Sequence, residues 1–394
     1  MHLHCSKGCQ KNDEFWQSEA LGIKQLSVHP SPTVLLCSRI IRKVESSHEL
    51  RNDFEKLCFN TERLLDREKK SFETLSRQTH VLLQAMGCTS AASEAQQMLK
   101  SGLLPWFRFL SRISLNGFTI CNSEQLALGH GVFPTATMIN HSCRPNCVPT
   151  FWLRQSAPPT LQITACEEVK TGEEVSISYC DVSPPTQARR QDLADNYKFL
   201  CTCTLCRDSD RNRIVLGLER TGIEVAPVGA QLELDTAMES VSLSMKRLEK
   251  LEQSVDDLSA MSEYQAAQEV VERVYTSCRC PYVASRCSGI YSALSSDMLR
   301  LCSSEREQVQ ICQKALKMMS ETQSASKLCV QYAGSLTWQI RRGTEAKYRL
   351  FVNPVDADAL SMLRNVKAEL MKYFPPDDEM IESLDQSLQS YSYS

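Results

Sequence analysis

The sequence has little of what would send a chain to or through a membrane. No apolar run approaches the roughly 20 residues that a helix needs to cross a bilayer, and Met1-His2-Leu3-His4-Cys5 lacks the charged-then-apolar pattern of a secretory leader. Strong charge of one sign is also missing: 44 Lys and Arg stand against 47 Asp and Glu, a formal net charge of −3. That balance removes the global basic field that drives non-specific nucleic-acid binding, so direct DNA or RNA binding is not expected. The helical patterns toward the carboxy terminus come without a clean repeat signature.

What is present fits a globular protein. At 394 residues, 42% hydrophobic and 23% charged, the chain has material for two or three domains with real cores. Nineteen cysteines are an odd number, and three of them fall in Cys201-Thr202-Cys203-Thr204-Leu205-Cys206. They read as thiols and metal ligands before a disulfide framework, which places the protein in a reducing compartment, cytoplasm or nucleus.

A Cys-x-Cys-x-x-Cys run supplies three thiolates, and a structural tetrahedral zinc site needs four ligands. Cys143 is the candidate for the fourth. It follows Asn140-His141-Ser142 in a turn-like segment broken by Pro145, and closing so long a loop costs little extra entropy.

Three blocks now stand in order: Asn140-His141-Ser142-Cys143-Arg144-Pro145-Asn146, then Gly172-Glu173-Glu174 followed by Tyr179, then Asn196-Tyr197-Lys198-Phe199 running into Cys201. Together they resemble the SET-and-MYND (SMYD) family of protein-lysine methyltransferases, most clearly from Asn116 to Cys206. The resemblance implies an α+β fold: a SET-domain β-fold with a helical insertion and a post-SET zinc site, then an all-α, TPR-like carboxy-terminal domain. The layout it implies is a MYND-type finger remnant over 1–23, the helical insertion over 24–116, core SET over 117–182, post-SET over 183–210 and the helical domain over 211–394.

The same likeness implies S-adenosylmethionine and Zn²⁺ as cofactors, and a protein substrate with a target lysine, on histone tails or elsewhere. It makes Tyr179 the catalytic phenol, with Tyr197 beside it as catalytic and channel residue. Asn116, Asn140, His141 and Phe199 would contact the cofactor, Phe118 would line the lysine channel, and Cys143, Cys201, Cys203 and Cys206 would hold the metal. Cys5 and Cys9 resemble the second half of a MYND finger whose closing His and Cys do not follow Trp16. The family's Gly-rich strand does not precede Cys5, so a truncated amino terminus is expected. A second reading stays open, a weakly active or inactive SET-like scaffold whose helical domain binds protein partners.

Along the chain, Val34–Lys43 is a short apolar run that periodicity leaves between strand and helix, the resemblance favouring helix. Helical spacing follows over Glu62–Met86, Ala91–Leu103 and Pro105–Ile113. Short β-rich runs lie at Phe118–Cys121, Cys147–Trp152, Leu161–Cys166 and Glu174–Tyr179, and a helix from Ser183-Pro184-Pro185-Thr186 to about Tyr197 has Thr186 as its cap. Beyond Cys206, apolar stripes recur at Leu234–Leu248, Tyr264–Tyr275, Ile290–Cys302, Val309–Met319 and Leu360–Tyr373. Cys278, Cys280 and Cys287 read as ordinary buried thiols, and Ser387–Ser394 as a frayed end.

Overall fold

The computed structural model describes residues 14–26, 29–59, 62–88, 106–123, 125, 127–153, 159–209, 257–277, 280–330 and 336–392. The chain divides into two compact units: Met1–Asn140 with Phe151–Gln162 and Ala194–Phe199, and His141–Thr150 with Ile163–Leu193 and Leu200–Ser394.

The first unit opens with helices α1 (Glu14–Lys24), α2 (Pro32–Ser46), α3 (His48–Lys56), α4 (Asp66–Ala85) and α5 (Phe107–Asn116). Helix α2 starts where it does because the Ser31 hydroxyl accepts from Val34 N and Pro32 occupies the first turn, where its missing N–H costs nothing. Its buried side chains, Val34, Cys37, Ile41 and Val44, recur every three or four residues and so share one face. In α4 the Glu68 carboxylate reaches back to Leu65 N at 2.7 Å, closing the first turn. These helices enclose a core of Cys37, Ile41, Phe54, Leu83, Trp106, Leu110 and Ile113.

Six short strands, among the described residues, form three two-stranded sheets. Strand β1 (Gly117–Cys121) pairs antiparallel with β2 (Ala127–Val132), Gly117 facing Val132 and Thr119 facing His130, with a bulge between Ile120 and Cys121. Strand β3 (Asn140–His141) pairs with β6 (Ser176–Ile177), and β4 (Cys147–Trp152) with β5 (Thr160–Ala165).

The second unit continues through α6 (Thr186–Tyr197), which runs on into the first, and the single turn α7 (Thr204–Arg207). Its helical region comprises α8 (Asp257–Ser277), α9 (Pro281–Leu301), α10 (Glu305–Glu321), α11 (Gln323–Val330), α12 (Leu336–Val352), α13 (Ala357–Leu370) and α14 (Glu379–Ser392). One core gathers Tyr264, Val271, Tyr291, Leu294 and Met318; a second gathers Leu336, Leu350, Leu363, Val366, Leu370, Ile381 and Leu384. Val148 joins the second core, and the Thr150 hydroxyl donates to Tyr373 O at 3.1 Å, so β4 is anchored on this helical layer. The fold is α+β with a helical carboxy-terminal region. Among the described residues, no helix is long and apolar enough to cross a membrane.

Several expectations need correction. The strand expected over Glu174–Tyr179 has only Ser176–Ile177 in ladder, because its partner β3 is two residues long. Thr186 is the first helical residue and not a cap; its hydroxyl accepts from Arg189 Nη2. The end expected to fray is helical to Ser392, because Leu388 and Tyr391 pack on the core around Leu384. Sequence periodicity gave no sign of α3, β2, α11, α12 or α14. Cys280 caps α9 by accepting from Val283 N, and Cys287 is a core side chain. Cys5, Cys9, Cys278 and the patterns at 91–103 and 234–248 lie outside the described residues.

Candidate active site and metal centre

Backbone pairing brings the first two motif blocks together. Ser142 N donates to Ile177 O at 2.9 Å, extending the β3–β6 pair by one rung. The Asn146 amide then acts as a piece of backbone: its Oδ1 accepts from Ser176 N at 2.8 Å and its Nδ2 donates to Glu174 O at 2.9 Å. An asparagine satisfies a donor and an acceptor of a neighbouring strand at once, which a hydrophobic residue cannot. Asn146 was quoted in the sequence motif without a role; this clamp is its role.

The imidazole of His141 joins Tyr179 to the cysteines. Tyr179 N donates to Nδ1 at 3.0 Å, so Nδ1 is the unprotonated nitrogen. Nε2 therefore carries the hydrogen in the neutral ring, and it lies 3.2 Å from Cys143 Sγ. Burial drives the His141 pKa down to about 4, with the charge of Arg189 adding to the effect, so the ring is neutral at ordinary pH. The His141 and Tyr179 rings sit with centroids 5.3 Å apart. Both ring nitrogens of His141 are thus engaged within the protein.

Four sulfurs converge from two separated stretches. Cys143, Cys201, Cys203 and Cys206 have all their sulfurs within 4.8 Å of one another. Cys143 Sγ is 3.5 Å from Cys206 Sγ and 3.9 Å from Cys201 Sγ. A tetrahedral zinc with Zn–S near 2.3 Å sets its sulfurs about 3.8 Å apart, so the spacing fits that ion. Hydrogen bonding by Cys180 and Cys203, together with burial, raises the Cys143 thiol, while hydrogen bonds from Cys143 and Cys206 lower that of Cys203. The thiols thus act on one another's protons, which a cation bound among them would displace.

Arg189 and Arg190 were missed from sequence and frame this cluster. Arg189 is 1% exposed, and its guanidinium donates to Pro184 O, to Thr186 Oγ1 and, from Nη2, to Cys206 Sγ at 3.7 Å. Burial opposes its charge, yet the sulfurs of Cys143 and Cys206 hold it above its ordinary pKa. Arg190 donates to Cys201 O at 2.9 Å and Cys206 O at 3.3 Å, fixing the backbone of the cysteine loop. The one available signal was a pair of arginines in a helix just before a thiol cluster.

The remaining expected residues belong to the first unit. Asn116 closes α5, and its Nδ2 donates to Cys58 O at 2.8 Å and Arg112 O at 2.7 Å, so both amide hydrogens serve the fold. Phe118 meets Phe133 edge-on at 5.9 Å, and Phe133 tilts against Phe151 at 5.7 Å, adding two aromatics that spacing had not singled out. Asn140 is exposed at the start of β3. Tyr197 and Phe199 are half-buried on either side of Lys198, whose φ of 63° is left-handed. Lys198 Nζ is gripped by both oxygens of Glu68, at 2.7 and 2.9 Å, and Arg63 donates to its carbonyl at 2.9 Å. Those bonds hold a backbone turn that an L-residue resists.

Comparison with known proteins bears on the same region. Residues 28–180 match the family described as SET domain. The chain is 30% identical over 221 residues to histone-lysine N-methyltransferase SMYD3 of Mus musculus, covering 54% of this chain and 48% of that protein. It is 32% identical over 223 residues to N-lysine methyltransferase SMYD2 of Homo sapiens, covering 54% and 47%.

Residues 28–180 are thus similar to the SET domain, and about half of the chain is similar to SMYD-family methyltransferases.

The chain spans about half the length of the relatives it matches. The match ends at Cys180, so it includes Cys143 and Tyr179 and stops short of the three later cysteines.

Proposed function

We propose that this chain is a protein-lysine N-methyltransferase that takes its methyl group from S-adenosylmethionine and carries one structural zinc. The observation that carries the reading is a single imidazole whose two nitrogens engage Tyr179 N and Cys143 Sγ. It ties the backbone of the proposed catalytic residue to a metal-type sulfur cluster.

The donor, when bound, supplies an electrophilic methyl on a positively charged sulfur. Asn140, the His141 backbone and Phe199 would hold it, with Asn116 acting through Oδ1. The chemistry asked of the protein is mainly alignment, which can contribute on the order of 7 kcal/mol or more. A free lysine, with pKa near 10.4, is protonated at neutral pH, and its amine must shed that proton before it can attack. An apolar channel lined by Phe118 and Tyr197 would favour the neutral amine by desolvation and guide it by its ring faces. The Tyr179 phenol would accept a hydrogen bond from that amine without carrying charge.

Cys143, Cys201, Cys203 and Cys206 would hold the zinc, whose work is to fold the segment after α6. The layout expected above, with core SET over 117–182, post-SET over 183–210 and a TPR-like helical domain from 211, is part of this proposal. So are substrates on histone or other proteins, partners on the helical region, and residence in cytoplasm or nucleus. The test is transfer of isotope-labelled methyl from S-adenosylmethionine to a mixed protein substrate, with elemental analysis of the purified chain. We expect about one zinc per chain and transfer that disappears in Tyr179→Phe. Zinc-loaded protein that neither binds the donor by calorimetry nor transfers methyl overturns the enzymatic reading.

A further inference from the structure

A fifth sulfur stands beside the four. Cys180 Sγ, Cys143 Sγ and one ring nitrogen of His141 lie within 4.8 Å of one another, and Cys180 hydrogen-bonds Cys143. A structural tetrahedral zinc has no use for a fifth thiol. Cys180 is half-buried where Cys143 is 0% exposed, so a small oxidant meets Cys180 first. It also follows Tyr179 directly in the chain.

The geometry points to Cys180 as a redox modification site, at which a peroxide drives a Cys143–Cys180 disulfide that ejects the metal ion and disables the adjacent tyrosine. This rests on the zinc assignment proposed above. The Cys180 sulfur attacks one peroxide oxygen, the O–O bond breaks, and Cys180 becomes a sulfenic acid with release of one water. Cys143 then attacks that sulfur, the S–O bond breaks, and a second water leaves. Two thiols have lost two electrons in all, and one hydrogen peroxide has become two waters.

Forming an S–S bond of about 2.05 Å from sulfurs already this close asks for a local shift, not an unfolding. The consequence is larger than the motion. Cys143 stops being a thiolate ligand, leaving three sulfurs for an ion that needs four, and the partner of His141 Nε2 is gone. That ring also holds Tyr179 N. A dithiol reductant reverses the step by exchange.

The experiment uses the full zinc-loaded chain, treated with graded hydrogen peroxide. Released zinc is read with a chromogenic chelator, and disulfides are mapped by mass spectrometry. The wild type should release zinc with a linked Cys143–Cys180 peptide, and dithiothreitol should restore zinc uptake. Cys180→Ser keeps all four ligands and should release zinc about tenfold more slowly. Equal release rates, or cross-links confined to Cys201, Cys203 and Cys206, overturn the proposal. Untreated protein lacking zinc overturns the metal assignment itself, whereas oxidised protein that keeps its zinc overturns the switch alone.

Discussion

Replacing Arg189 with methionine tests the electrostatics of the proposed metal centre. Four thiolates around Zn²⁺ leave a formal charge of −2, about half a charge per sulfur, buried where water screens poorly. Arg189 Nη2 lies 3.7 Å from Cys206 Sγ and is itself buried. At an effective dielectric of about 20, unit charges at that distance attract by about 4.5 kcal/mol, hence about 2 kcal/mol for a half-charged sulfur. Methionine keeps much of the volume and removes the charge, so zinc affinity should fall by roughly 40-fold, inside the 10- to 100-fold range typical of residues that support metal ligands. Competition against a chelator of known affinity measures this, with circular dichroism confirming that the variant is folded. Arg189→Lys should recover part of the loss. Unchanged affinity in a folded Arg189→Met variant would mean that the guanidinium serves only Pro184 O and Thr186, and the charge-balance reasoning would fail.

The other predictions are simpler. His141→Ala strands a backbone N–H at Tyr179 and should lower stability by about 1–3 kcal/mol in urea unfolding, with zinc affinity falling alongside; an unchanged value for both would remove the imidazole bridge. Leu363→Ala empties part of a fully buried helical core and should cost about 2–5 kcal/mol by the same measurement. Burial pulls the Glu68 pKa up, but hydrogen bonds from Lys198 and Leu65 N together with the charges of Lys198 and Arg67 outweigh it, so its folded pKa is depressed. Its stabilising contribution is therefore present above about pH 4.5 and is lost as pH falls below that. Thermal melting of Glu68→Gln should be less steep in pH than wild type over that window, and identical slopes would show that the ion pair carries no net stability.

The family resemblance made His141 a cofactor contact through backbone and ring, and the ring is held by Tyr179 N and Cys143 Sγ. Its ring geometry supplies the reason for that side chain. Asn146 is similar, since its value lies in bonding two backbone groups of a strand thirty residues away. Asn116 shows the reverse. The family resemblance made it a cofactor contact, and both its amide hydrogens bond carbonyls of the fold, at Cys58 and Arg112.

Local pattern was enough for whatever depends on neighbours in the chain. Apolar residues at helical spacing over Glu62–Met86 and Leu360–Tyr373 mark helices that form there, and a Cys-x-Cys-x-x-Cys run draws three thiols into one small loop. These effects act within a turn or two, so the chain alone carries them. Tertiary structure decided the rest: that Cys143, named from sequence, meets the other three thiols, which fifth one stands beside them, that Arg189 is buried against them, and that the chain's end is held by Leu388 and Tyr391. Each is a meeting of residues far apart in sequence, set by how helices and strands pack, and no periodicity along the chain encodes it.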